Sequence, residues 1–190
     1  MSIAAILGAA FTGAVTGYWN APRGGDDYGS AILLADHGSL HLEARFNYEA
    51  VHAQSAFVGW TFSGGSEGEV QYKLTPIIGG VTGATRGPIA GFEASVASGH
   101  FDFYIEAEYV RDRNDHASSY TYAWSELGYR AAPWLRLGLV AQRTRVYGGD
   151  RDLQRGGLAQ VTHGPFTLGA YWFNPGSSDQ VVIVSLGATF

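Results

Sequence analysis

The sequence predicts an all-β protein built from antiparallel strands, and three observations support this fold class. The chain contains 27 glycines among its 190 residues, and 14% of the residues are aromatic. Only 15% are charged, whereas soluble domains usually carry about a quarter. Apolar and polar residues alternate in segment after segment, which is typical of half-buried strands. No segment shows a sustained helical period, and frequent glycine disfavours a helical bundle.

Composition also excludes several classes of function. The net charge of −5 and the single lysine, Lys73, beside 11 arginines leave no basic footprint for nucleic acid. The absence of cysteine rules out disulfides and thiolate metal sites. We expect one domain over residues 1–190, because this length suits a single domain.

The N-terminal segment leaves two interpretations open. Met1 to Trp19 carries no charge, as in a transmembrane helix or the apolar part of a signal peptide. Larger apolar residues alternate there with small or hydroxylic ones, however, and no basic residue precedes them. The alternation favours a strand, and the chain is then a mature form without its targeting peptide.

Period-two alternation divides the chain into about 12 strands. Its clearest example runs from Leu40 to Tyr48, where one face is wholly apolar and the other wholly polar. We expect strands near 5–19, 28–36, 39–51, 54–64, 68–80, 87–98, 101–113, 119–131, 134–147, 156–163, 166–174 and 180–190. Several are longer than the five or six residues usual in globular proteins and match the roughly 9–11 residues that cross a bilayer. The predicted fold is a closed, up-and-down transmembrane barrel, with ten strands if the first two are helical.

Short and long connections alternate along this series. The short ones lie at 36–39, 64–67, 98–100, 132–133 and 163–165, and the longer ones at 20–27, 81–86, 112–118, 148–155 and 175–179. Only the connection near His52 is short where a long one is expected. Aromatic residues cluster near both sets of strand ends, as membrane barrels require of their two girdles. We assign Trp19, Tyr28, Tyr48, Tyr109, Tyr120, Tyr122, Tyr147 and Trp172 to the loop side, and Phe62, Phe101, Tyr129, Trp134, Phe166 and Phe190 to the turn side.

The last strand carries a resemblance to a known class. Residues 181–190 alternate apolar side chains and end in Phe190. This segment resembles the closing strand of small bacterial outer-membrane β-barrel (porin-like) proteins. The resemblance implies location in the bacterial outer membrane, contact with outer-membrane lipid or lipopolysaccharide, and Phe190 as a signal for the barrel-assembly machinery. Both termini then lie on the periplasmic, short-turn side.

Two features depart from a regular barrel pattern. Pro76 falls inside a predicted strand and removes one ladder hydrogen bond. A closed barrel has no free edge for it, so we expect a bulge there, helped by Gly79 and Gly80. The second strand also lacks clean alternation between Ala31 and Leu34.

Residues typical of catalysis or metal binding have a simpler structural interpretation. His37 and His41 would lie roughly 13 Å apart on a strand, too far for one ion, so we predict no metal and no cofactor. Asp36, His37 and Ser39 are the residue types of a hydrolase triad, but Asp-His-Gly-Ser is typical of a hairpin turn. His41, Asp102 or Ser125 would have to meet from different strands, and no motif selects them. We therefore predict that the protein is not an enzyme.

The polar faces of the strands supply the candidate lumen. Nine charged residues are predicted to point inward: Glu43, Arg45, Lys73, Glu93, Glu106, Glu108, Glu126, Arg130 and Arg136. Unpaired charge is costly there, so these residues either line a narrow pore for small polar solutes or ions or pair into a network that plugs the lumen. The first interpretation predicts a narrow porin-like channel, and the second a structural or interaction protein.

Two further surface features leave partners open. Arg111, Arg113, Arg143 and Arg145 fall near the loop side, where they would either bind lipid phosphates or pair with nearby aspartates. Small residues on the apolar rows would admit a neighbouring barrel and so permit oligomers; they are Ala9, Gly13, Ala44, Ala56 and Ala107.

Overall fold

The computed structural model describes residues 11–66 and 68–190, and the chain there is almost entirely strand. The thirteen strands are β1 (Thr12–Pro22), β2 (Tyr28–His37), β3 (Leu40–Phe46), β4 (Ala53–Trp60), β5 (Phe62–Gly64), β6 (Gln71–Gly83), β7 (Gly87–Ser98), β8 (Phe101–Val110), β9 (Tyr120–Ala132), β10 (Leu135–Val146), β11 (Arg151–His163), β12 (Phe166–Phe173) and β13 (Val181–Thr189). One 3₁₀ turn spans His116–Ser118. No helix among the described residues is long and apolar enough to cross a membrane.

The strands form one closed antiparallel barrel. Neighbours in sequence are neighbours in the sheet, β1 pairs with β13, and β4 pairs with β6 to complete the ring. The ring contains 12 strands, because β4 and the short β5 pair with successive parts of the same edge of β6 and together occupy one position in the ring. The predicted closed 12-strand architecture is confirmed. Residues 12–22 are a strand, which decides against a helix there, whereas residues 5–10 of the predicted first strand lie outside the described residues.

Side chains alternate between the inside and the outside of the wall. On β3, His41, Glu43 and Arg45 are buried, whereas Leu42 and Phe46 are 38% and 44% exposed on the outer face. The same alternation runs around the ring, because each pair of strands keeps its register almost throughout. The outer face therefore carries exposed apolar side chains and the inner face most of the charge.

Several strand ends differ from the prediction. The strand expected over 39–51 ends at Phe46, because Asn47 and His52 adopt positive φ angles of 53° and 67°. The Asn47 side-chain oxygen accepts from the His52 backbone N–H at 2.9 Å and holds this turn. The strand expected from 156 begins at Arg151, so the long connection predicted at 148–155 is a short turn that ends at Asp150.

Pro76 interrupts pairing without shifting the register. Gly59 pairs with Ile77 and Phe62 pairs with Leu74, which is one continuous register on both sides of the break. The predicted bulge is therefore wrong at this position. Proline has no N–H to donate, and the ladder between β4 and β6 breaks beside it. The Thr61 and Thr75 hydroxyls, 2.9 Å apart, supply a side-chain link across the gap.

Two apolar clusters fill neighbouring arcs of the interior. One, on β4, β6, β7 and β8, consists of Ala53, Phe57, Ile77, Val81, Ile89 and Val110. The other, on β9 to β13, consists of Trp124, Val140, Leu158, Tyr171, Phe173 and Ile183. The charged side chains described next line the space that these two clusters leave.

Candidate functional site

A cavity of about 850 Å³ occupies the barrel interior. Asn47, Thr85 and Ser118, in the connections between strands, line its mouth, and Gln160 and Arg136 line it near the short-turn end. Among the described lining residues, six are glutamates and one is an arginine: Glu43, Glu49, Glu93, Glu106, Glu108, Glu126 and Arg136. The cavity wall is therefore strongly acidic.

Arg45 organises the acidic side of the cavity. Its fully buried guanidinium group places Nε 2.5 Å from Glu43 Oε1 and Nη1 3.0 Å from Glu106 Oε1. The same Nη1 also contacts Glu108 and lies 3.6 Å from Glu49. One positive charge thus serves four carboxylates. Charge-assisted hydrogen bonds of this kind are the strong class, yet the cluster contains more carboxyl groups than cations.

Two aromatic rings hold the Arg45 guanidinium group in place. Its central carbon lies 4.8 Å from the centre of the Tyr48 ring and 4.4 Å from that of Phe57. A planar guanidinium group stacks on such faces, and lysine does not reproduce this geometry. Arg45 is therefore fixed by packing as well as by charge.

Glu49 reaches the cavity from the connection between β3 and β4. The Ser55 hydroxyl donates to Glu49 Oε1 at 2.6 Å, whereas Oε2 is buried without a hydrogen-bond partner. Burial raises the pKa of Glu49 above its usual value. The predicted lumen set omitted Glu49, although it has the same phase along the chain as Glu43 and Arg45, so the alternation was a usable signal.

A second polar network lies at the short-turn end. Arg136 Nε donates to Asp102 Oδ1 at 2.9 Å, and Nη1 donates to Glu126 at 2.5 Å and to Gln160 at 2.9 Å. The indole N–H of Trp124 donates to Glu126 at 3.0 Å. Here the charges are balanced more evenly than around Arg45.

The structure places the nine predicted lumen residues in three environments. Six line the cavity: Glu43, Glu93, Glu106, Glu108, Glu126 and Arg136. Arg45 is buried in its ion pairs. Lys73 and Arg130 belong to inward-facing rows but are exposed at the short-turn rim, where Arg130 is 57% exposed and 3.9 Å from Asp102. Of the four predicted bases, Arg136 alone is among the described residues that line the cavity.

Four predicted girdle residues also face inward. Tyr28, Tyr48, Tyr120 and Tyr122 line the cavity, which corrects their assignment to the membrane surface. Tyr122 lies on the same face of β9 as Trp124 and Glu126. The alternation along this strand could therefore have predicted that Tyr122 faces inward. Tyr48 carried no such signal, because the positive φ of Asn47 changes the phase just before it.

The side-chain types of a hydrolase do not assemble in the described part of the chain. Gly38 adopts φ 63° in the turn between β2 and β3, as expected for Asp-His-Gly-Ser. His41 Nδ1 pairs with Asp36 at 2.7 Å, whereas Asp102 pairs with Arg136. Ser125 donates to the backbone oxygen of Ala141 at 3.4 Å.

Comparison with known proteins yields likenesses among solved structures. No protein-family model and no curated protein matches the chain. The chain is similar to the crystal structure of the outer membrane channel DcaP of Acinetobacter baumannii, with a TM-score of 0.37 and 15% sequence identity. The match covers 88% of this chain and 64% of the DcaP chain. The present chain therefore spans less than two thirds of the length of DcaP.

Proposed function

We propose that this barrel is a narrow outer-membrane channel that favours small cations. The observation that carries the proposal is the ratio of six glutamates to one arginine among the described residues of the cavity wall. A ring of carboxylates in a pore is a cation filter, and a low-dielectric wall strengthens its field.

The outer wall supports insertion in a membrane. Exposed apolar side chains follow its outward rows; examples are Val15, Leu33, Leu42, Val58, Ile78, Phe103, Leu139, Leu168, Val184 and Leu186. Exposed aromatic residues flank them near both ends: Trp19, Tyr109, Tyr147 and Trp172 towards the longer connections, and Phe62, Phe101, Tyr129, Trp134, Phe166 and Phe190 towards the short turns. A continuous apolar surface of this extent suits lipid rather than water. A closed barrel also satisfies its backbone hydrogen bonds within the membrane.

The interior supports a small passage. The two apolar clusters occupy neighbouring arcs of the interior, and Arg136 reaches past β9 to Asp102 near the short-turn end. Passage is therefore restricted to ions or very small polar solutes. Glu93 makes no ion pair with Arg45 or Arg136 among the described residues and is available to a passing cation.

The loop-side arginines support contact with phosphate groups of lipid or lipopolysaccharide. Arg111, Arg113, Arg143 and Arg145 are exposed and form no ion pair within 4.0 Å in the described structure, although aspartates lie nearby in sequence. Bidentate phosphate contacts suit such side chains. Replacing all four with Gln should lower the lipopolysaccharide retained by the purified protein, and unchanged retention would reject this contact.

A planar lipid bilayer tests the channel directly. Under a KCl gradient, the reversal potential of the wild type should indicate preference for K⁺ over Cl⁻. Glu93→Gln should lower that preference, because it removes a lining charge. Glu69→Gln is a matched control, because Glu69 is exposed in the connection between β5 and β6. Preference for Cl⁻ would contradict the acidic filter.

The Arg45 network favours a second candidate, a plugged barrel that acts through its loops or outer wall. Four carboxylates close around one buried guanidinium group, an arrangement that resists the entry of solutes. Folded protein without any conductance step in the bilayer would support this candidate over the channel.

A further inference from the structure

Three side chains of metal-ligating type converge in the short-turn half of the barrel. His41, Glu43 and Glu93 bring one imidazole nitrogen and two carboxylate oxygens within 4.8 Å of one another. His41 and Glu43 are two residues apart on β3 and therefore share its inner face. Glu93 approaches from β7, across β4 and β6. Gly59 of β4 stands opposite His41 and contributes no side chain between them.

His41 presents a nitrogen that is buried and unpartnered. Its side chain is only 5% exposed, and Nε2 has no hydrogen-bond partner among the residues that the structure describes. The separations from Nε2 to Glu43 Oε2 and Glu93 Oε2 are 3.6 and 3.9 Å, too long for hydrogen bonds. Ligands held about 2.0–2.2 Å from a tetrahedral ion stand about 3.4 Å apart. The two nitrogen–oxygen separations therefore exceed this spacing by only about 0.2 and 0.5 Å.

The other ring nitrogen of His41 already has the partner that a metal-bound histidine needs. Nδ1 lies 2.7 Å from Asp36 Oδ1. A carboxylate that accepts from one imidazole nitrogen directs the lone pair of the other towards a metal, and it is a recurrent feature of histidine sites. Asp36 thereby orients His41 without contacting the ion itself.

We propose that His41 Nε2, Glu43 Oε2 and Glu93 Oε2 bind a divalent transition-metal ion of the Zn²⁺ type. An imidazole ligand suits zinc and its neighbours, whereas Ca²⁺ and Mg²⁺ prefer oxygen ligands alone. The ion would also offset the negative charge of Glu93. Arg45 Nη2 reaches Glu43 Oε2 at 3.1 Å, whereas no arginine or lysine in the described part of the chain pairs with Glu93. Three protein ligands leave a fourth position open towards the cavity. The site stands on its own geometry and does not depend on ion conduction.

Metal titration of the folded, untagged protein in detergent tests the site. Co²⁺ should produce the visible absorption of a tetrahedral complex at one equivalent, and Zn²⁺ should displace it. His41→Gln and Glu93→Gln should each weaken binding by about 100-fold or more, because they remove ligands. Asp36→Asn should weaken it by about 10–100-fold, as expected for a residue that positions a ligand. His163→Gln is the matched control, because His163 is exposed at a short turn, and it should bind like the wild type.

A second measurement requires no variant. X-ray absorption of the Zn²⁺-loaded wild type should show a first shell of nitrogen and oxygen neighbours at about 2.0–2.2 Å, together with the outer-shell scattering of a single imidazole ring. Equal Zn²⁺ binding by the wild type and His41→Gln, absence of binding to the wild type, or preference for Ca²⁺ over Zn²⁺ would each overturn the proposal. Because binding is measured in detergent, these outcomes do not depend on whether the barrel conducts.

Discussion

Phe190 closes the seam of the barrel against Gly13. The backbone N–H of Gly13 donates to the Phe190 carbonyl oxygen at 2.7 Å, and that of Phe190 donates to the Gly13 oxygen at 2.9 Å. The Phe190 ring lies over the space that a Gly13 side chain would occupy. The ring itself is 79% exposed on the outer face, so its burial within the protein contributes little.

Deleting Phe190, or replacing it with Ser, should lower the amount of assembled barrel in cells and leave refolding in detergent largely intact. This follows if the terminal aromatic residue is read by the assembly machinery, since burial of such a ring is worth about 3 kcal/mol at most. Mobility of unheated samples in denaturing gels distinguishes folded from unfolded barrel in both settings. Gly13→Ala is the control: it displaces the ring but keeps the aromatic terminus, so assembly in cells should persist. Equal losses in cells and in detergent would indicate a purely structural role.

Replacing Arg45 with Gln should destabilise the folded barrel by about 3–5 kcal/mol, because it leaves several buried carboxylates without their cation. Arg45→Lys should recover only part of this, since lysine lacks the planar group that stacks between Tyr48 and Phe57. Urea unfolding followed by tryptophan fluorescence measures both changes. Arg130→Gln, at the exposed rim, should change the free energy of unfolding by about 0.5 kcal/mol or less. A loss at Arg45 no larger than at Arg130 would mean that the buried cluster is not stabilised by this cation.

Labels along β3 should report two environments. A quencher in the acyl chains should reach labels at Leu42, Ala44 and Phe46, whereas labels at His41 and Glu43 should respond only to aqueous reagents or to neither. Placing Arg at Ala44 should cost about 2–4 kcal/mol if the site lies near the bilayer midplane. If the lipid quencher reached none of the outward positions, the proposal that the barrel spans a membrane would be wrong.

Single cysteines should map the two ends of the barrel, because the chain contains no cysteine of its own. Gly24→Cys and Asn114→Cys, in the connections between β1 and β2 and between β8 and β9, should react with an impermeant maleimide on intact cells. His163→Cys, at the short turn before β12, should react only after the outer membrane is permeabilised. Labelling of His163→Cys on intact cells would reverse the proposed orientation.

The local alternation of apolar and polar residues was sufficient to predict much of the fold. Leu42 and Phe46 turn outward and Glu43 and Arg45 inward because successive side chains of a strand point to opposite faces, a property of the backbone itself. The same rule yields the number of strands in the ring and the short turn at Gly38. For these features the determining interactions lie within a few residues of one another.

Only the tertiary structure decided which inward charges meet. Arg45 finds Glu106 and Glu108 more than sixty residues away, and His41 finds Glu93 across two intervening strands. Such pairings depend on the register and closure of the whole ring, which no local pattern encodes. The turn at Asn47 likewise brings Tyr48 into the cavity against the phase of the preceding strand. The sequence by itself therefore determined the wall of the barrel, whereas closure of the ring determined the chemistry inside it.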